Sequence, residues 1–373
     1  MNKKICHLTS VHPARDARIF HKEAKTLAGA GYDTSLIAVH DSGEILDKIK
    51  ILPLPTHSNR IDRMTKTVFM SLKLTLREKA DIYHFHDPEL IPVGILLKLY
   101  TGKKVIYDVH EDYAKQSLSK HYLPKITRKG IALSIKILEY LSSLFFDAVV
   151  TATNDILKNY SYHRRAVCVR NFPVTSAFSP VKNKNSDVFK IIYVGGLSRE
   201  RGITEIVSAL DYVNQSVDIE LKLYGKFSPE SYEAEVKSLK GFQKTTYSGW
   251  MDYDNVPELL AKADVGIVCL HPISNYLTAL PVKLFEYMAA GLPVIASNFP
   301  VLKEIVEENN CGICVDPLNP AQIAKAVAYM VTHENERIRM GENGRRAVME
   351  KYNWENESKK LLGLYEDLIG KQH

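Results

Sequence analysis

No apolar run in the 373 residues approaches the ~20 residues of a membrane-crossing helix, so the chain is not expected to span a bilayer. Met1-Asn2-Lys3-Lys4-Ile5 passes directly into the strand-like Cys6-His7-Leu8-Thr9, and no targeting segment is expected ahead of it. Cysteine is sparse and odd in number: Cys6, Cys168, Cys269, Cys311 and Cys314 all sit in apolar segments, which argues for reduced thiols and a cytoplasmic setting. Neither the GxGxxG of a dinucleotide fold nor a P-loop occurs, so neither a dehydrogenase nor an NTPase is supported. Metal patterns are equally thin. Cys311 and Cys314 have CxxC spacing but no second pair, and read as a strand edge. His84 and His86 stand two apart on a strand with no clear third histidine or cysteine. No metal is expected.

What is present is an ordinary soluble balance, 45% hydrophobic and 25% charged, at a length that favours two globular domains. The charge is unevenly divided. Residues 1 to 170 carry 27 Lys+Arg against 17 Asp+Glu, net +10, and the remainder is net −4. That asymmetry points to an anionic partner for the first half, either a membrane surface or a phosphorylated acceptor, and not to nucleic acid. Residues 60 to 79 read as a basic amphipathic helix, with Met64, Val68, Leu72 and Leu76 at four-residue spacing and Arg60, Arg63, Lys66, Lys73, Arg77 and Lys79 among them. Such a run is usually a solvated face, with membrane contact as the alternative. Lys120, Lys125, Arg128 and Lys129 add to it. The broadly apolar helix expected from Ile126 to Phe146 is read as core packing.

Ile5 to Thr9 is a strand ending in the loop SVHPARDARIF; a helical stripe and the strand Thr34 to Val39 follow. That is the opening of a doubly wound α/β domain, in which ligands gather at the carboxyl ends of the strands. His12, Asp16 and Arg18, on that first loop, are therefore candidate site residues. The strand Ile82 to Phe85 runs into HFHDPEL, and Lys104 to Val109 runs into HEDY, which places His110 and Glu111 at a strand end. The first domain closes at Asn171-Phe172-Pro173. A stretch rich in Pro, Ser, Asn and Lys then reads as a linker.

The second domain repeats the grammar. Phe189 to Val194 leads into GGLSRERG, where Gly195 and Gly196 allow close backbone approach and Arg199 and Arg201 can neutralise a diphosphate. Gly225-Lys226 and Gly249-Trp250 end two further strands, at junctions where a base can sit. Pro281 to Gly291, PVKLFEYMAAG, opens a helix at about Pro281, with Leu284, Phe285 and Met288 at helical spacing. Its first amides, from Val282 past Leu284, and the Lys283 charge form an anion site, while Glu286 one turn on can accept from a vicinal diol. Phosphate donors and a diol acceptor within one turn suggest a nucleotide.

PVKLFEYMAAG with its LPVIA continuation, GGLSRERG and KKVIYDVHED together resemble the retaining, group 1 (family 4) glycosyltransferases. The resemblance implies the α/β GT-B fold: two Rossmann-like, doubly wound domains facing a cleft. It implies an acceptor-binding domain over 1–173, a linker over 174–187 and a nucleotide-sugar domain over 188–352. A C-terminal helix over 353–373 would cross back to the first domain. The donor, a UDP- or GDP-linked sugar, would be held by Gly195, Gly196, Arg199, Arg201, Gly225, Lys226, Lys283, Leu284 and Glu286. His110 would face the reacting sugar as a catalytic residue beside Arg201 and Glu286, and His12, Asp16, Arg18 and Glu111 would bind the acceptor. The chain departs from the pattern at Gly196, where the family has arginine, at Arg201, where it has lysine, and at Thr278, where it commonly has a glutamate on the sugar. The implied acceptor is a glycan or lipid-linked glycan, at the inner face of the cell membrane, without cofactor or metal. A nucleotide-sugar 2-epimerase or a non-catalytic nucleotide-sugar binder would share this architecture.

Overall fold

The computed structural model describes residues 2–56, 59–118, 124–180, 188–214 and 218–370; Lys120 and positions 181–187 of the expected linker lie outside them. The chain divides into two compact units, Met1–Asn171 with Glu355–His373, and Phe172–Trp354.

The first unit carries, among the described residues, a sheet of β1 (Lys4–Pro13), β2 (Asp33–Val39), β3 (Glu44–Leu46), β4 (Ile49–Leu54), β5 (Ile82–Phe85), β6 (Lys104–Val109), β7 (Ala148–Thr151) and β8 (Ala166–Cys168). Their order is β3-β4-β2-β1-β5-β6-β7-β8, parallel except for β3 against β4. The central strands read as continuous apolar runs because helices cover both faces of a parallel sheet. Cys6, Leu8, Ile37, Phe85, Tyr107 and Val149 fill the core between them. The sequence moves from β1 outward to β2 on one side and returns to β5 on the other, so a crevice opens beyond the carboxyl ends of β1 and β5.

The second unit holds β9 (Phe189–Val194), β10 (Ile219–Tyr224), β11 (Thr245–Tyr247), β12 (Val265–Val268), β13 (Val294–Ser297) and β14 (Gly312–Val315). The order is β11-β10-β9-β12-β13-β14, all parallel, with the switch between β9 and β12. Cys314 lies on the edge strand β14 and Cys311 immediately before it, the strand-edge placement expected for this pair.

Three expectations change. The linker does not begin at 174: Phe172 and Phe178 are buried in the second unit's core, with the Phe172 and Phe285 ring centroids 4.7 Å apart. The basic helix of residues 60–79 forms, running unbroken over 60–78, but it is not α-helical throughout. A π-helical segment, Arg63–Thr67, precedes the α-helix Val68–Glu78, and Lys79 ends it in a left-handed conformation (φ +50°). Arg63 pairs with Glu89 at 2.6 Å and Lys66 with Asp62 at 2.9 Å, so part of its charge is already matched. Finally, the apolar helix of the first unit, Lys125–Ser143, is not core packing. Its buried residues are Ala132, Ser142 and Ser143, and most of its large apolar side chains, the half-buried Ile135 apart, are exposed.

The helix Trp354–Ile369 lies mostly within the first unit, with Leu361 and Tyr365 fully buried. Arg170 anchors it, donating from its backbone N and Nε to the buried Glu357 carboxylate, each at 3.0 Å.

Candidate active site

In the second unit the switch point brings β9's loop against the helix Val282–Ala289. Gly195 has φ +133° and Gly225 φ +148°, a region L side chains rarely adopt. A Cβ on Gly225 would sit 1.9 Å from the Gly195 carbonyl oxygen, and one on Gly195 would sit 2.8 Å from Lys283 Nζ. Glycine here is what lets the two strand ends and the lysine converge. Gly196 lies against the Arg201 guanidinium, and its carbonyl accepts from the Tyr193 hydroxyl at 2.9 Å.

Lys283 is the centre of this cluster. Its ammonium is buried over the Tyr193 ring, 3.7 Å from the centroid, and has no hydrogen-bond partner among the described residues. Burial, with the Arg201 charge beside it, lowers its pKa well below the usual lysine range, against the pull of Glu286. Lys283 and Arg201 thus converge at the helix start, with Glu286 as the acidic group near Lys283. The helix start adds to the field: Pro281 provides no side-chain cap, although the Leu284 amide already turns back to the Pro281 carbonyl at 3.0 Å. Leu284 is otherwise a core residue, and Glu286 is buried one turn in. Lys226 is exposed, its Nζ 5.6 Å from the ring centre of the exposed Trp250. Thr278 lies exposed on the loop that leads into the helix.

Arg199 stands apart from this group. The short 3-10 turn Arg199–Arg201 directs it to Glu235 and over the Tyr232 ring at 5.2 Å, so its charge does not replace the arginine missing at Gly196. Tyr193 and Tyr276, which lie against Arg201, were not singled out from sequence. A tyrosine inside an apolar strand reads as core.

In the first unit the crevice holds a buried polar network whose hub, Asp108, the sequence did not reveal. Arg18 donates from Nε and Nη2 to the two Asp108 oxygens, each at 3.0 Å, and from Nη1 to the Val169 carbonyl at 2.8 Å. His86 Nδ1 and His110 Nε2 reach Asp108 Oδ2 at 3.1 and 2.8 Å, and His7 Nδ1 meets His86 Nε2 at 3.0 Å. Burial alone would push the Asp108 carboxyl up, but Arg18 and then His110 hold it well below the usual range. Glu23, 3.0 Å from Arg18, moves the opposite way, raised by burial and by the Asp108 charge. One carboxylate and one carboxylic acid therefore share Arg18. The loop reading of Arg18 as an acceptor contact is overturned: it is 3% exposed and its donors are engaged inward.

Nearer the surface, His12 stands 3.3 Å from Asp16 and 3.6 Å from Asp87, and its ring lies 5.3 Å from that of His110. Asp87 also accepts from Thr9 Oγ1 at 2.8 Å and the Ser10 amide at 2.6 Å, fixing the carboxyl-terminal part of β1, which runs past the expected strand end and carries His12. His12, Asp16 and His110 thus form the partly exposed rim of the network. Glu111 does not join it, accepting instead from Gln116 at 2.6 Å on the exposed side.

His7 on β1 is the third histidine that spacing along β5 could not supply. His7, Glu23, His84 and His86 each offer a ligand atom within 4.8 Å of the others, as do His86, Asp108 and His110. The second group already binds Arg18 through Asp108, and in the first the guanidinium beside Glu23 supplies the positive charge a metal would bring. Neither is assigned as a metal site.

Two doubly wound parallel-sheet units in one chain define the GT-B architecture. Sucrose-phosphate synthase from Thermosynechococcus elongatus matches over 100% of both chains with a TM-score of 0.79 at 19% identity. The Anabaena protein HepE, solved with UDP and glucose, matches over 98% of this chain and 100% of its own, TM-score 0.72 at 13% identity. In sequence, the model of the Glycosyltransferase Family 4 domain matches residues 17–167, and that of the Glycosyl transferases group 1 domain matches residues 175–347. An uncharacterised glycosyltransferase of Methanocaldococcus jannaschii is 25% identical over 309 residues, 77% of this chain and 75% of that protein. The chain belongs to the group 1, family 4 glycosyltransferases and is a glycosyltransferase. The epimerase and binder readings are not favoured by these matches.

Proposed function

We propose that the protein transfers a sugar, with retention of anomeric configuration, from a UDP- or GDP-linked donor to a glycan or lipid-linked glycan in cell-surface polysaccharide or glycoconjugate synthesis. The observation that carries the donor half is the buried, hydrogen-bond-deficient Lys283 ammonium beside Arg201 at a helix start. A diphosphate there provides the acceptors that Lys283 lacks, and HepE, which was solved with UDP, supports a nucleotide ligand. Glu286 takes the ribose diol, and Lys226 with Trp250 offers a cation and an aromatic face to the base. As the donor bond breaks, negative charge grows on the leaving diphosphate. Arg201, Lys283 and the helix terminus stabilise that charge without reorganising, so catalysis is positioning plus electrostatics. His110 keeps the role at the reacting sugar that the resemblance gives it, and His12 and Asp16 that of acceptor contacts.

Calorimetric titration tests the donor assignment. Lys283→Met and Arg201→Ala should each weaken binding of the nucleotide diphosphate by about 1.5 to 3 kcal/mol, roughly tenfold or more, and of the nucleoside hardly at all. Glu286→Ala should lose less on a 2'-deoxyribose donor than on the ribose form. Equal losses for every truncated ligand would sink the assignment. Metal dependence is a separate expectation: with two cations already at the diphosphate position, transfer should survive EDTA unchanged. Complete loss in the chelator, restored by manganese, would show the opposite.

A further inference from the structure

We infer that the outward face of the helix Lys125–Ser143 docks the protein on the surface of an anionic lipid bilayer. Ile126, Leu133, Ile137, Leu141 and Leu144 recur every three, four or seven positions, which puts them on one stripe of the helix and its end. They are 50 to 87% exposed, whereas the opposite face carries the small buried Ala132, Ser142 and Ser143. A core helix has this pattern the other way round. Exposed Tyr140 and Tyr162, ring centroids 4.6 Å apart, extend the patch with side chains that are apolar in body and polar at the tip.

Charge selects the occupant. Lys125, Lys129 and Lys136 are exposed alongside the stripe, and Glu139 is the helix's one acidic residue. Basic residues in a first turn oppose the helix dipole, so Lys125 does not stabilise the helix it opens. A second copy of the chain is a poor fit. A two-fold interface would lay this face on its own image and bring lysines against lysines. A bilayer with anionic headgroups accepts both halves of the pattern, the stripe sinking about 5 to 10 Å into the acyl boundary and the lysines snorkelling to the phosphates. Among the described residues no helix is long and apolar enough to cross a membrane, so the helix lies on the surface.

The test is co-sedimentation with vesicles of equal phosphatidylglycerol and phosphatidylcholine, against phosphatidylcholine alone. The full-length protein should partition at least tenfold more into the anionic vesicles, and high salt should reduce this. Ile137→Ser/Leu141→Ser and Lys129→Glu/Lys136→Glu should each lower partitioning at least tenfold, with thermal melting and nucleotide binding unchanged because these residues are exposed and outside the donor cluster. Undiminished partitioning of either variant overturns the proposal. So does an absence of preference for anionic vesicles, or a dimer in solution that Ile137→Ser/Leu141→Ser dissociates. Because nucleotide binding is read in parallel, such failure is distinguishable from failure of the donor assignment.

Discussion

Arg18→Met should destabilise the first unit by about 3 to 5 kcal/mol, and Asp108→Asn by about 1 to 3 kcal/mol. Arg18 is buried, holds both oxygens of Asp108 and the Val169 carbonyl, and lies 3.0 Å from Glu23. Removing it leaves the Asp108 carboxylate in the interior with only the His86 and His110 side chains as partners. Removing the Asp108 charge is different. Glu23 is kept protonated by burial and by Asp108's negative charge, so once that charge is gone Glu23 is released to ionise against Arg18. Compensation survives in one variant and not in the other. Urea denaturation at pH 7.5, followed by circular dichroism, measures both. Equal losses would mean that Glu23 does not take over the pair, and a loss below about 1 kcal/mol for Arg18→Met would mean the network is not coupled to folding. Nucleotide binding in native buffer serves as the control, since neither residue belongs to the donor cluster.

The asymmetry between these two carboxyls could not be read from the sequence. His7, His84, His86 and Asp108 are separated by up to about a hundred positions, and only the lateral order β2-β1-β5-β6 makes them neighbours. Strand order is a property of three-dimensional packing that apolar periodicity does not encode. What could be read was local. The apolar runs marked β1, β2, β5, β6 and β9, and the segments at their carboxyl ends carried His12, Asp16 and His110. PVKLFEYMAAG delivered Lys283 and Glu286 because a helix start with lysine in its first turn has the same chemistry in any surroundings. Arg199 was misplaced by the same logic: arginines two positions apart on a tight turn point in different directions, and only Arg201 turns inward. For the helix Lys125–Ser143, amphipathicity was visible in the sequence, but a moment gives a direction only relative to the helix. Which side meets the core is decided by the small face, Ala132, Ser142 and Ser143, that fits closely against its neighbours.

Acidification should destabilise the first unit steeply, by on the order of 2 to 3 kcal/mol per pH unit once pH falls well below 6.5. His7, His84 and His86 are fully buried, and burial holds all three below the usual histidine value, His86 at about 4. They stay neutral in the folded protein, but each takes up a proton in the unfolded chain near pH 6.5. The unfolded state then binds more protons, and the stability present above pH 6.5 is lost on the way down. Glu23 works in the other direction. Its raised pKa means that folding takes up a proton, a contribution that grows as pH falls toward the ordinary glutamate value and offsets about one histidine. His12 is raised as well: burial lowers it but Asp16 more than restores it, so its contribution is fully present below 6.5 and does not add to the loss. Below about pH 5 the depressed Asp108 and Asp16 begin to protonate in the unfolded chain and steepen the slope again. Urea denaturation at half-unit steps from pH 7.5 to 5 gives the slope directly. His7→Asn removes one buried imidazole and should flatten it by about 1.4 kcal/mol per pH unit. A slope that stays flat in the wild-type protein, or one that His7→Asn leaves unaltered, would mean that these histidines take up their protons without unfolding.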